Sequence, residues 1–122
     1  MIVRSLVSVV DDDESVRESL PDLLHELGFA AQAFSSAEEF LGSNVVRQTR
    51  CLILDVAMPG TSGPDLQLEL RRRDQRIPII FITAHPDEDV RHVLQDGAVD
   101  CLFKPFTDTV LLDALRSAMG AS

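Results

Sequence analysis

Five separated apolar runs, each followed by a stretch in which apolar positions recur every three or four residues, set the rhythm of this chain. The first, Leu6-Val7-Ser8-Val9-Val10, is nearly continuous, as expected of a parallel strand covered on both faces. Behind it Val16, Leu20, Leu23, Leu24 and Leu27 fall at helical spacing, and Gly28 supplies the stop signal. Pro21 lies inside this helix, where it removes a backbone bond at a cost of roughly 3 kcal/mol if unrelieved, so a kink or local loosening is expected.

The pattern then repeats. Phe29 to Phe34 reads as a second strand, and Ser36 with Glu39 three residues on resembles a capping box opening a short helix through Phe40 and Leu41. Ser43 to Arg50 is polar connection. Cys51 to Leu54 forms a third strand ending in Asp55, followed by Met58-Pro59-Gly60-Thr61-Ser62-Gly63, a loop rich in turn formers. Pro64 suits the first position of a third helix with Leu66 and Leu70 inward. Ile77 to Ile82 is the most hydrophobic strand and ends in Thr83; a fourth helix from about Asp87 carries Val90, Val93 and Leu94 until Gly97. Val99 to Phe103 is the fifth strand, Lys104-Pro105-Phe106 closes it, and Thr107 caps a last helix with Leu111, Ala114, Leu115 and Ala118 on its apolar stripe.

Such alternation calls for an α/β fold: a five-stranded parallel sheet with right-handed crossovers, doubly wound, with helices on both faces. A length of 122 residues, with 45% hydrophobic and 25% charged, fits one domain over residues 1–122. The net charge of −9 argues against the whole surface serving as a nucleic-acid or anionic-membrane binder. The one basic cluster in sequence, Arg71-Arg72-Arg73 with Arg76, reads as a solvated helix end that complements the dipole. Cys51 and Cys101 lack metal or disulfide spacing and fit reduced thiols. With no long apolar run and no secretory signal, a cytoplasmic protein is expected.

The chemistry gathers at strand ends. Asp11-Asp12-Asp13 follows the first strand directly, and clustered carboxylates there repel one another unless a cation sits among them. Asp55 ends the third strand, Thr83 the fourth and Lys104 the fifth, and in an open α/β sheet the crevice lies beyond these carboxyl ends. Hard carboxylate ligands in a wet crevice suit Mg²⁺. Asp55 then has two available roles, metal ligand and nucleophile, while Thr83 offers a hydroxyl and Lys104 a charge to phosphoryl oxygens. Taken singly, Asp12 and Asp13 read as helix-start acids, Asp55 as a turn residue, Thr83 as a cap and Lys104 as a snorkelling strand end. Their shared edge is what favours a site. His25, His85 and His92 show no ligand spacing.

An acid pair after strand one, Asp with a Met-Pro-Gly loop after strand three, Thr after strand four and Lys-Pro after strand five occur here in order. In this the chain resembles the receiver domain of two-component response regulators over essentially its whole length. Ser36-Ala37-Glu38-Glu39-Phe40-Leu41 and Lys104-Pro105-Phe106 look most like FixJ-like receivers of the LuxR-type output class. The resemblance brings with it the strand order 2-1-3-4-5 of flavodoxin-like and CheY-like folds. It implies that Asp55 accepts a phosphoryl group from a sensor histidine kinase or phosphotransfer protein, that Asp11, Asp12, Asp55 and the carbonyl of Ala57 hold Mg²⁺, and that Thr83 and Lys104 bind phosphoryl oxygens. It also implies a cis peptide before Pro105.

In such receivers the threonine moves toward the phosphoryl group and an aromatic three residues before the lysine turns inward behind it. Here that place is Cys101, which cannot fill the same space. Positions 57 and 85, here Ala57 and His85, tune phosphate lifetime in relatives. Relatives also form homodimers around helix four, strand five and helix five. No turnover is expected beyond phosphorylation and dephosphorylation of the domain itself, and neither a nucleic-acid-binding output domain nor a membrane contact is read in these residues.

Other functions of this topology fit less well. A phosphatase-type hydrolase wants an acid two residues after its nucleophile, where Ala57 stands. A flavin mononucleotide carrier wants a phosphate loop where the three aspartates stand. A receiver-like interaction module that is not phosphorylated is the nearer alternative, kept open by Cys101.

Overall fold

Alternation within the apolar runs decides which helices each strand meets. In Cys51-Leu52-Ile53-Leu54, the side chains of Leu52 and Leu54 enter one core cluster, those of Cys51 and Ile53 the other, and all four are fully buried. The computed structural model describes residues 4–85 and 91–120. Its strands are β1 (Leu6–Val10), β2 (Ala30–Phe34), β3 (Thr49–Asp55), β4 (Ile79–Thr83) and β5 (Asp100–Phe103), and its helices α1 (Glu14–Glu26), α2 (Ala37–Leu41), α3 (Gly63–Arg72), α4 (Arg91–Gln95) and α5 (Asp108–Ala118).

All strand pairs are parallel, in the order β2-β1-β3-β4-β5. The doubly wound α/β sheet expected from the sequence is therefore present. Ala37 and Phe40 of α2, Leu66 and Leu70 of α3 and Val93 of α4 cover one face of the sheet. Leu20 and Leu24 of α1 with Leu111, Ala114 and Leu115 of α5 cover the other. At about 25 cal/mol per Å² of apolar surface removed from water, these two layers supply the main driving force for folding.

Element edges differ from the sequence pattern in ways that polar contacts explain. β3 starts at Thr49, two residues before the apolar run, because the Thr49 hydroxyl donates to the Val45 carbonyl at 2.8 Å and sits 2.8 Å from Ser8 Oγ of β1. β2 starts at Ala30, β4 at Ile79 and β5 at Asp100, each later than the apolar pattern suggests. Pro78 has no N–H to give, yet its carbonyl accepts from Leu52 at 2.9 Å, so it abuts the strand without joining it. α3 begins at Gly63, with Ser62 as its cap. α1 runs across Pro21 as one helix. The capping box at α2 is shifted: Glu39 N–H donates to Ser36 Oγ, but the Glu39 carboxylate accepts from Ser35 N–H. The start expected for the fourth helix at Asp87, and Val90, lie outside the described residues.

Candidate functional site

Three neighbouring strands end together at one edge. Val10 pairs with Leu54 and Asp55 pairs with Ile82, so Asp11 and Asp55 end β1 and β3 at one level, with Thr83 one residue further along β4. The chain is stitched there: Asp11 N–H donates to Phe34 O at 3.1 Å, Val56 N–H to Ile82 O at 3.0 Å, and Lys104 N–H to Thr83 O at 2.8 Å. Backbone pairing of the strands, rather than local loop structure, fixes this convergence.

Carboxylate oxygens of Asp11, Asp12 and Asp55 lie within 4.8 Å of one another. Asp11 is fully buried, Asp55 nearly so, and Asp12 is exposed at the mouth. Asp11 is fixed by accepting from Asp13 N–H at 2.9 Å, and its own carbonyl accepts from Arg17 Nη1 at 3.1 Å. Lys104 Nζ lies 2.7 Å from Asp11 Oδ2 and 3.9 Å from Asp55 Oδ1. Burial pushes the Asp55 carboxyl up to about 7, the Asp11 charge adds to this, and Lys104 opposes it. One ammonium among three carboxylates leaves net negative charge in a partly desolvated place, as a site for a hard cation would. Asp13 stands apart: it caps α1, and hydrogen bonds from the Ser15 hydroxyl and amide hold its carboxyl below the usual range.

The Thr83 hydroxyl accepts from His85 N–H at 3.1 Å, which orients it at its strand tip. Ala57 is exposed in the loop that follows β3. The peptide between Lys104 and Pro105 is cis. Cys101 is half-buried against the α2–α3–α4 layer, on the flank of β5 rather than in the crevice. The three histidines lie outside the carboxylate group.

Two residues that support the site carried no sequence signal. A Cβ on Gly63 would run into the Asp55 carbonyl and lie 2.9 Å from the Phe81 ring, so only glycine lets the start of α3 approach the Asp55 strand tip this closely. Glu38 on α2 accepts from the Thr61 hydroxyl at 2.6 Å and so tethers the loop after Asp55, while Met58 of that loop is buried in the same core cluster as Ala37 and Phe40. A 23-residue separation hid the Glu38 contact. Phe103 was also missed: it is the register partner of Thr83, alternates onto the Cys101 side of β5, and is 46% exposed.

Fold and crevice together define a doubly wound α/β domain with an acid-rich strand-tip site faced by a lysine. The chain belongs to the response regulator receiver domain family, whose profile matches residues 7–116, and it is thus a receiver of the two-component type. It is 48% identical over 116 residues to Nodulation protein W of Bradyrhizobium diazoefficiens, covering 94% of this chain and 51% of that protein. It is 40% identical over 117 residues to the transcriptional regulatory protein FixJ of Azorhizobium caulinodans, covering 95% and 56%. The crystal structure of FixJ-N superposes with a TM-score of 0.87 at 37% identity, covering 99% of this chain and 98% of that one. The chain thus spans about half the length of the curated relatives it matches.

Proposed function

We propose that this domain is a phosphoacceptor switch in which Asp55 takes a phosphoryl group from a phosphohistidine donor. The observation that carries the reading is the ammonium of Lys104 placed between Asp11 and Asp55, with Asp12 at the mouth. An oxygen of the Asp55 carboxylate attacks phosphorus, the phosphorus–nitrogen bond to the donor imidazole breaks, and the imidazole leaves with the electron pair and takes up a proton. The Lys104 ammonium shifts from its carboxylate partners onto a phosphoryl oxygen, and the Thr83 hydroxyl donates to another. Asp11, Asp12, Asp55 and the Ala57 carbonyl are the ligands we assign to Mg²⁺, which when bound neutralises charge on the transferring group.

The site has no donor of its own, so a sensor histidine kinase or phosphotransfer protein is the partner, and the cytoplasm is the compartment in which such a donor and Mg²⁺ meet it. Residues 1–122 act as the receiver unit, and the names of relatives such as FixJ point to transcription regulation as the output of a whole protein of this kind. The output surface we assign is the α4–β5–α5 face, through a homodimer, where Leu94, Phe103 and Val110 are 41–46% exposed. Thr83 reports phosphorylation to that face. Cys101, too small to fill the space behind Thr83, transmits little by itself.

Incubation with Mg²⁺ and a small phosphodonor, followed by intact-mass measurement, tests the reading. Wild type gains one phosphoryl mass, and neither Asp55→Asn nor chelated wild type does. No gain on wild type would leave a receiver-like interaction module as the better reading.

A further inference from the structure

The edge of the sheet opposite the carboxylates has a distinct electrostatic character. Because the strands are parallel, β1 and β3 both begin there, with Leu6 paired to Thr49. Strands of five and seven residues place that edge on the order of 15–20 Å from the tips that carry Asp11 and Asp55. Three arginines from separate segments meet at it: Arg4 before β1, Arg47 in the short 3-10 turn Val46–Gln48, and Arg50 near the start of β3.

Together with Ser5, Leu6 and Gln48, these arginines line one cleft of about 520 Å³, and no acid among the described residues lines it. Among the described residues none of the three makes an ion pair, although the chain carries a net charge of −9. The contrast with the neighbouring arginines is direct. Arg72 and Arg73 pair with Glu69, Arg76 pairs with Asp74, and Arg71 donates to the Asp96 carbonyl. Each arginine of the contiguous cluster that stands out in the sequence therefore has a partner within the fold, whereas the dispersed trio makes no ion pair among the described residues.

We propose that this cleft is a second anion site that takes a small, multiply charged phosphate compound. Guanidinium forks match phosphate oxygens two at a time, and three of them around one concavity repel one another until a compact anion sits between them. The Ser5 hydroxyl and the Gln48 amide add neutral donors, and Leu6 supplies one apolar wall. Three guanidiniums grouped over one small cleft suit a compact polyphosphate or the phosphate chain of a nucleotide. The site shares no residue with the carboxylate crevice, so it stands or falls independently of the phosphoacceptor reading.

Titration of magnesium-free, nitrogen-labelled full chain with inorganic pyrophosphate, followed by amide NMR, tests it. Saturable shifts are expected at Ser5, Leu6, Gln48 and Arg50, weakening as salt is added. Arg47→Glu and Arg50→Glu should each weaken binding about tenfold or more, while the same charge change at exposed Arg116, outside the cleft, should alter it less than about twofold. A parallel titration with ATP separates the sources: tighter binding with added shifts at Leu6 indicates a nucleotide, and equal binding indicates the phosphate chain alone. No saturable shift, shifts centred on Thr83 and Lys104, or equal weakening by all three charge reversals would overturn the proposal.

Discussion

Lys104 Nζ stands 2.7 Å from Asp11 Oδ2 and 3.9 Å from Asp55 Oδ1, so one ammonium bridges the ends of β1 and β3. It is 17% exposed, which leaves its charge only partly screened by water. Replacing it by methionine keeps the stem and removes the charge. Phosphorylation by a small donor should then slow by about 10²-fold, the usual weight of one preorganised donor to a transferring group. The rate of phosphoryl mass gain reads this, and an unchanged rate would remove Lys104 from the site.

Asp55 yields a pH prediction. Its carboxyl is pushed from 3.8 to about 7 by burial first and by the Asp11 charge second. Between those values the folded chain holds a proton that the unfolded chain has released. The contribution of this group to stability is therefore fully present below 3.8 and lost as pH rises through about 7. In magnesium-free buffer near pH 8, Asp55→Asn should be more stable than wild type by on the order of 1–3 kcal/mol, with the gap closing toward about pH 4. Saturating Mg²⁺ should narrow it by stabilising wild type alone. Urea denaturation at the two pH values, with and without Mg²⁺, measures both effects.

Much of this was legible in the order of residues. The five apolar runs dictated the parallel sheet, and the acids, threonine and lysine marked the crevice because each is a polar residue that breaks off an apolar run. What the pattern could not carry were contacts between distant segments. Glu38 reaches Thr61 across 23 residues, and Arg4, Arg47 and Arg50 meet only because β1 and β3 are neighbours. The edges of β3 and β4 moved because the Thr49 hydroxyl and the missing Pro78 amide, not hydrophobicity, decide where pairing begins. Cys51, read from the sequence only as a strand residue with a reduced thiol, is fully buried, and burial pushes the thiol up to about 12.

Gly63 is required by space rather than by dihedral freedom. A methyl group there meets the Asp55 carbonyl and the Phe81 ring, so Gly63→Ala must push α3 away from β3. A loss of about 1–3 kcal/mol is expected, as for other overpacked sites, together with slower phosphorylation because the loop after Asp55 shifts. Urea denaturation and the phosphoryl mass time course should change together; a loss of stability with an unchanged rate would separate Gly63 from the site.

Glu38 tethers the loop from outside the crevice. Glu38→Ala removes the acceptor for Thr61, whereas Glu38→Gln keeps an oxygen in place. The alanine variant should be phosphorylated a few-fold more slowly, and the glutamine variant should recover most of that rate. Equal rates for both variants and wild type would show that the tether does not position the loop.

The most direct measurement is the location of the phosphoryl group. After reaction with a small donor and Mg²⁺, borohydride reduction of the acyl phosphate and peptide mass analysis identify the modified carboxylate. The expected result is modification of Asp55 alone, abolished when Mg²⁺ is chelated. Modification of Asp11, Asp12 or a residue away from the β1, β3 and β5 tips, or none at all, would contradict the assignment of Asp55 as acceptor.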